Sequence, residues 1–156
     1  MSRLEGQVVF VTGASSGIGA ACARAFAREK ARLLLLARRG DRLTQLDDEL
    51  RSLGAADVLP LVLDVRQQER VARTIAYLPE SWKQIEVLVN NAGLSRGLAG
   101  LHEGQLEDWE EMIDTNVKGL LYVDRAVVPL MAARGRGTVV HIGSIAGHQV
   151  YPGGNV

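Results

Sequence analysis

Residues 7–19 read "QVVFVTGASSGIG". The first half is a β-branched apolar run and the second half is a turn of glycine and serine. An apolar run closed by glycine predicts a buried strand over 7–13. Past the turn, Ile18, Cys22, Ala25 and Phe26 recur at helical spacing and predict a helix over 18–30. Gly13, Gly17 and Gly19 thus lie between a strand and a helix. Glycines there allow a tight turn and let backbone approach a pyrophosphate, while the helix start offers free N–H groups and a positive dipole end. A glycine trio carries this meaning only in that context. Gly13, Ala14, Ser15, Ser16, Gly17, Ile18 and Gly19 are therefore the first cofactor-binding candidates.

The same unit repeats outward from this turn. "RLLLLA" (32–37) is apolar on both faces, as a strand covered on both sides must be. Leu43, Leu46, Leu50 and Leu53 form a helical stripe over 42–53, with Asp41 placed to cap it and Gly54 to end it. "DVLPLVLDV" (57–65) reads as a third strand, 67–78 as a helix with Val71, Ile75 and Leu78, and "IEVLVNNAG" (85–93) as a fourth strand. A long helix is expected from Glu107 to Ala133, its apolar side formed by Trp109, Met112, Ile113, Val117, Leu120 and Leu121, with Pro129 bending its last turns. "GTVVHIGS" (137–144) is the fifth strand. Such alternation predicts an α/β fold: a doubly wound parallel sheet of Rossmann type with right-handed crossovers, one domain over residues 1–156.

Composition narrows the function. Lysine plus arginine and aspartate plus glutamate balance at 18 each, so neither a nucleic-acid surface nor an acidic tail is expected. "LLLLA" (33–37) is too short to span a bilayer, and the start lacks a signal-peptide run. Cys22, the single cysteine, excludes an internal disulfide. The expectation is a soluble cytoplasmic protein with no membrane or nucleic-acid partner. His102, His141 and His148 lack metal-ligand spacing, so no metal is expected. His141 reads as a core or edge residue, Trp82 and Trp109 as packing residues, and Cys22 as a small core hydrophobe.

In a sheet of this kind ligands bind outside the carboxyl ends of the strands. After the second strand, Ala37 is followed by Arg38 and Arg39, where an NAD site commonly carries an acidic residue for the ribose 2′-OH. Two guanidiniums suit a 2′-phosphate, and hence NADP; the alternative is a solvated basic turn. After the third strand, Asp64 and Val65 flank the adenine position, where the carboxylate could accept from an exocyclic amine or merely start the next turn. After the fourth come Asn90, Asn91, Ala92 and Gly93. Asn90 is assigned to structure, Asn91 to the cofactor, and Gly93 to close approach of backbone. Asn116 falls between Ile113 and Val117 on the expected apolar face of the long helix, so its amide needs a partner there.

"TGASSGIG", "NNAG", the in-helix Asn116 and "GS" (143–144) together resemble the short-chain dehydrogenase/reductase family across the whole chain. "LDVRQQE", "VNNAGLSRG", "EDWEEMIDTNVKGL" and "YPGGNV" look like its NADP-dependent 3-hydroxy acid dehydrogenase branch, which includes the serine dehydrogenase type. The resemblance implies hydride transfer between the nicotinamide of NADP and a small hydroxy or keto substrate, in an enzyme that often forms homo-oligomers. It implies that Ser144 hydrogen-bonds the substrate oxygen and that Asn116 holds a water in the proton relay. It also implies a tyrosine that moves the hydroxyl proton and a lysine four residues later.

Tyr151 follows Ser144 closely, but Asn155 stands where the lysine would be, and "PGG" between them is a poor helix interior. Tyr151 is therefore expected to be a pocket or loop residue. The resemblance places the family's tyrosine and lysine, with the last strands, beyond Val156, so residues 1–156 are expected to bind the dinucleotide without turnover.

Overall fold

The computed structural model describes residues 3–149, 151, 152 and 154. Five strands form one parallel sheet: β1 (Val8–Thr12), β2 (Arg32–Ala37), β3 (Asp57–Val62), β4 (Ile85–Asn90) and β5 (Thr138–His141). Their order is β3-β2-β1-β4-β5. The direction of winding reverses between β1 and β4, which opens a crevice at their carboxyl ends. β2 matches its expected run, whereas β1, β3, β4 and β5 are shorter than theirs, because the residues beyond the last ladder bond turn out into the loops that line this crevice.

Alternate strand residues supply two cores. Val9, Val11, Leu33, Leu35 and Val89 pack under α1 (Gly17–Arg28) and α2 (Gly40–Ser52), through Ala20, Ala23 and Ala27 of the first and Leu43, Leu46 and Leu50 of the second. Phe10, Leu34, Leu36 and Leu88 face the other way, against Val71 and Ile75 of α3 (Gln68–Ala76) and the residues Val123, Val127 and Met131. Phe10 and Leu33–Leu35 are fully buried, as strands covered on both faces must be. Pro60 sits within β3, an edge strand, where its missing N–H is tolerated. Trp82 is buried with the Arg32 guanidinium 4.2 Å above its ring, and Cys22 packs half-buried against the α1 side.

Two expectations are corrected here. Helix α2 begins at Gly40 with Arg39 at its N-cap, so Asp41 lies in the first turn, where its charge favours the helix dipole, and makes no side-chain cap bond. The long helix has a different buried face from its apolar stripe. It consists of α4 (Leu106–Ile113), a π-helical segment (Asp114–Gly119) and α5 (Leu120–Ala133), which runs on through Pro129. The buried positions are Met112, Thr115, Gly119, Val123, Val127 and Met131, whereas Ile113, Val117 and Leu121 are exposed. The wider π turn shifts the inward face, and small residues take it where the helix crosses the sheet. A Cβ at Gly119 would come 2.6 Å from Val65 Cγ2, so this crossing requires glycine.

Candidate functional site

The crevice at the β1/β4 reversal has a volume of about 770 Å³. From the sequence candidates it gathers Gly13, Ser15, Ser16, Gly17 and Ile18 from the first turn, Arg38 and Arg39, Asp64 and Val65, Asn91, Ala92 and Gly93, together with Asn116 and Ser144. Residues distant in sequence are thus brought to one wall-to-wall site. Ala14 and Gly19 are buried behind the residues that line it. Ala14 is fully buried and donates its N–H to the Leu36 carbonyl at 3.2 Å. A Cβ at Gly19 would stand 2.5 Å from the Gly13 carbonyl oxygen.

Gly13 turns the chain at φ +64°, and a Cβ there would lie 2.8 Å from Ala92 Cα. The ends of β1 and β4 therefore touch backbone to backbone, held by side chains. Thr12 Oγ1 accepts both the Asn91 and Ala92 N–H groups at 3.0 Å. The Asn91 amide donates to the carbonyls of Thr12 at 3.1 Å and Gly13 at 3.2 Å. Asn91 thus ties the two strand ends while it also lines the crevice. Asn90 instead donates to Asp124 Oδ1 on α5 at 2.7 Å.

Arg38 and Arg39 diverge. Arg39 reaches back over the first turn, donating to Ser15 Oγ at 3.0 Å and Ser16 Oγ at 2.8 Å. Arg38 points toward α4, 3.6 Å from Glu111. Asp64 receives the Arg66 side chain on both oxygens and the Arg66 N–H on Oδ1 at 3.0 Å. Burial works to raise its pKa, but the Arg66 guanidinium and N–H outweigh it and hold the carboxyl below the ordinary value. Asp64 starts the turn through Arg66 and also lines the crevice.

Asn116 is exposed, not buried in an apolar stripe, and it has a partner of another kind. Its Oδ1 accepts the Leu94 N–H at 2.9 Å and its Nδ2 donates to the Leu94 carbonyl at 2.8 Å. The π segment turns it toward the loop after β4 and it clamps that loop. Beside it, Thr115 Oγ1 is buried without a hydrogen-bond partner among the described residues. Ser144 follows β5 and its Oγ accepts the Ala146 N–H at 3.1 Å. His141 lines the crevice and meets Asp124 Oδ2 through Nε2 at 3.0 Å. Tyr151 is in a turn, its carbonyl accepting the Gly154 N–H at 3.0 Å, as expected for a loop residue; Asn155 lies outside the described residues.

Thr12, Arg66, Thr115, Glu111 and Asp124 were not singled out in the sequence. Only Asp124, an acid beside Arg125 in a largely apolar helix stretch, left a readable signal there. Among the described residues no group of three histidine, cysteine, aspartate or glutamate side chains could hold a metal, and no helix is long and apolar enough to cross a membrane.

Residues 7–156 match the family described as short chain dehydrogenase. The chain is 48% identical over 149 residues to an NADP-dependent 3-hydroxy acid dehydrogenase of Salmonella typhi, covering 96% of this chain and 58% of that protein. It is 41% identical over 157 residues to one of Schizosaccharomyces pombe, covering all of this chain and 61% of that protein. The chain thus spans less than two thirds of the length of these relatives. The structure of serine dehydrogenase from Escherichia coli superimposes with a TM-score of 0.90 at 43% identity, covering 96% of this chain and 68% of that one. A closed form of serine dehydrogenase complexed with NADP+ superimposes equally well, at 0.90, over 96% of this chain and 59% of that one. The motifs, the sheet order and these likenesses agree: the chain belongs to the short-chain dehydrogenase family.

Proposed function

We propose that this chain carries the dinucleotide site of an NADP-dependent oxidoreductase acting on a small hydroxy or keto substrate, a 3-hydroxy acid or a related alcohol, and that residues 1–156 belong to one domain. The observation that carries the reading is the set of groups on the crevice rim. Arg39 lies across the Ser15 and Ser16 hydroxyls, and Arg38 stands beside it with no carboxylate in the position that would bind a 2′-OH. Guanidiniums and hydroxyls in this arrangement are donors for a phosphate. The relatives named for NADP support the same choice.

The residues present fit the group. The glycine turn leaves room for backbone beside a pyrophosphate, and α1 directs its N-terminal N–H groups at it. Arg38 and Arg39 would hold the 2′-phosphate, Asp64 and Val65 the adenine side, and Asn91, Ala92 and Gly93 the ribose side. Once bound, the dinucleotide supplies the hydride acceptor or donor. Ser144 would donate its Oγ–H to the substrate oxygen while Oγ keeps accepting the Ala146 N–H. Asn116, with both amide ends on Leu94, would fix the loop that borders the substrate and leave one lone pair for a water. We assign the protein a cytoplasmic location and homo-oligomeric assembly on the same family grounds.

Titration of the protein with NADPH and with NADH, followed by the fluorescence of the reduced nicotinamide, tests the reading. Saturable binding with NADPH favoured by about one to two orders of magnitude is expected, the worth of one charged hydrogen bond. Equal affinity, or no saturable binding of either, would refute it.

A further inference from the structure

Three guanidiniums from three separate segments converge on the carboxylate of Glu111. Arg96, in the loop after β4, donates Nε–H to Oε2 at 2.7 Å. Arg38, after β2, and Arg66, after β3, each bring a nitrogen within 3.6 Å of Oε1. One oxygen of Glu111 thus answers to the loop and the other to the cofactor rim. The same loop is fixed to the same helix twice more, through the Asn116–Leu94 clamp and through the Arg96 N–H on Met112 Sδ at 3.3 Å.

The strengths of these contacts differ. The Arg96 contact is a short charged hydrogen bond. Arg66 has its main partner in Asp64, at 2.6 Å. Among the described residues the Arg38 side chain makes no hydrogen bond: it has the long ion pair to Glu111 and a weaker attraction to Asp64, and it is 52% exposed, so it is the guanidinium best placed to turn to another anion. A phosphate monoester carries about 1.5 to 2 negative charges near neutrality and would compete directly with Glu111 for it.

We propose that Glu111 sets the affinity for the cofactor's 2′-phosphate by competing for Arg38, and that Arg96 governs this competition from the loop. The inference rests on the NADP reading above. With Arg96 in place, the Glu111 charge is drawn toward the loop and Arg38 remains available. With Arg96 removed, the same charge falls on Arg38 and Arg66.

The test compares wild type, Glu111→Gln, Arg96→Ala and the double variant in titrations with NADPH and NADH. Glu111→Gln should tighten NADPH about 3- to 10-fold while NADH shifts by less than about twofold, the scale of a partly exposed ion pair. Arg96→Ala should weaken NADPH alone, and the double variant should return to the affinity of Glu111→Gln. These differences should shrink as salt is raised. A parallel change for both dinucleotides in Glu111→Gln, or an Arg96→Ala variant that binds NADPH as tightly as wild type, would overturn the inference. A wild type without NADPH preference would remove the cofactor reading and this inference together. A wild type with that preference and an unchanged ratio in Glu111→Gln would remove the inference alone.

Discussion

Asp124 joins two neighbouring strand ends through its two carboxylate oxygens: Oδ1 takes the Asn90 amide at 2.7 Å and Oδ2 meets His141 Nε2 at 3.0 Å. Asn90 and His141 are register partners in β4 and β5. A helix side chain therefore fixes the spacing of β4 and β5 beside the crevice, three residues before Ser144. Asp124→Ala should cost about 1–3 kcal/mol, since it leaves the buried Asn90 amide without its partner. Asp124→Asn should cost less, because one oxygen can still accept. Urea unfolding of the two variants checks the ranking.

Gly13→Ala should be among the most damaging single-methyl changes. The residue has φ +64° and the new Cβ would meet Ala92 backbone at 2.8 Å, which no rotamer can relieve. A loss of about 1–3 kcal/mol in stability is expected from the backbone conformation alone. Gly6→Ala, at φ +72° with open space around it, should be milder. Equal thermal shifts in the two variants would contradict the contact.

Asp64 gives a pH dependence of defined sign. Its folded pKa lies below the ordinary 3.8, so its pair with Arg66 contributes full stability above that value. The contribution disappears as pH falls through the lower folded pKa. Glu111 acts in the same direction: its hydrogen bond from Arg96, against some opposing burial, holds it below 4.5. The stability difference between wild type and Asp64→Asn should therefore be constant at neutral pH and narrow only in acid. A difference that grows toward acid would contradict the assignment.

β5 leaves an apolar edge at the surface. Val139, Val140 and Ile142 are each more than a third exposed, and β5 is the last strand of the sheet. Unpaired apolar edges recruit other chains. The 156-residue chain should self-associate in sedimentation over a concentration series, and Val140→Lys should suppress it. A monodisperse monomer with a sharp cooperative melt would contradict this.

The alternation of strands and helices was legible because each strand is a continuous apolar run and each turn at a carboxyl end carries glycine, asparagine or arginine. The family motifs placed Gly13, Arg39, Asn91, Asn116 and Ser144 at one crevice. The buried face of the long helix was not legible, because Thr115 and Gly119 occupy it for their small size while Ile113 and Val117 stay outside. The additional strand-tying role of Asn91 was hidden for a similar reason: two adjacent amides have different partners, Asp124 for Asn90 and the Thr12 and Gly13 carbonyls for Asn91, and only the tertiary structure supplies them. Glu111 and Arg66 escaped notice because their partners are set by tertiary contact between segments far apart in sequence.

The central claim is that Arg38 and Arg39 read a 2′-phosphate, and two ligands isolate that contact. Adenosine 2′,5′-bisphosphate and adenosine 5′-monophosphate differ only by the 2′-phosphate. Calorimetric titration of the protein should show the bisphosphate binding about 10- to 100-fold more tightly, with Arg38→Ala and Arg39→Ala together removing most of the gap. Equal binding of the two nucleotides, or a gap that survives Arg39→Ala together with Arg38→Ala, would contradict the account.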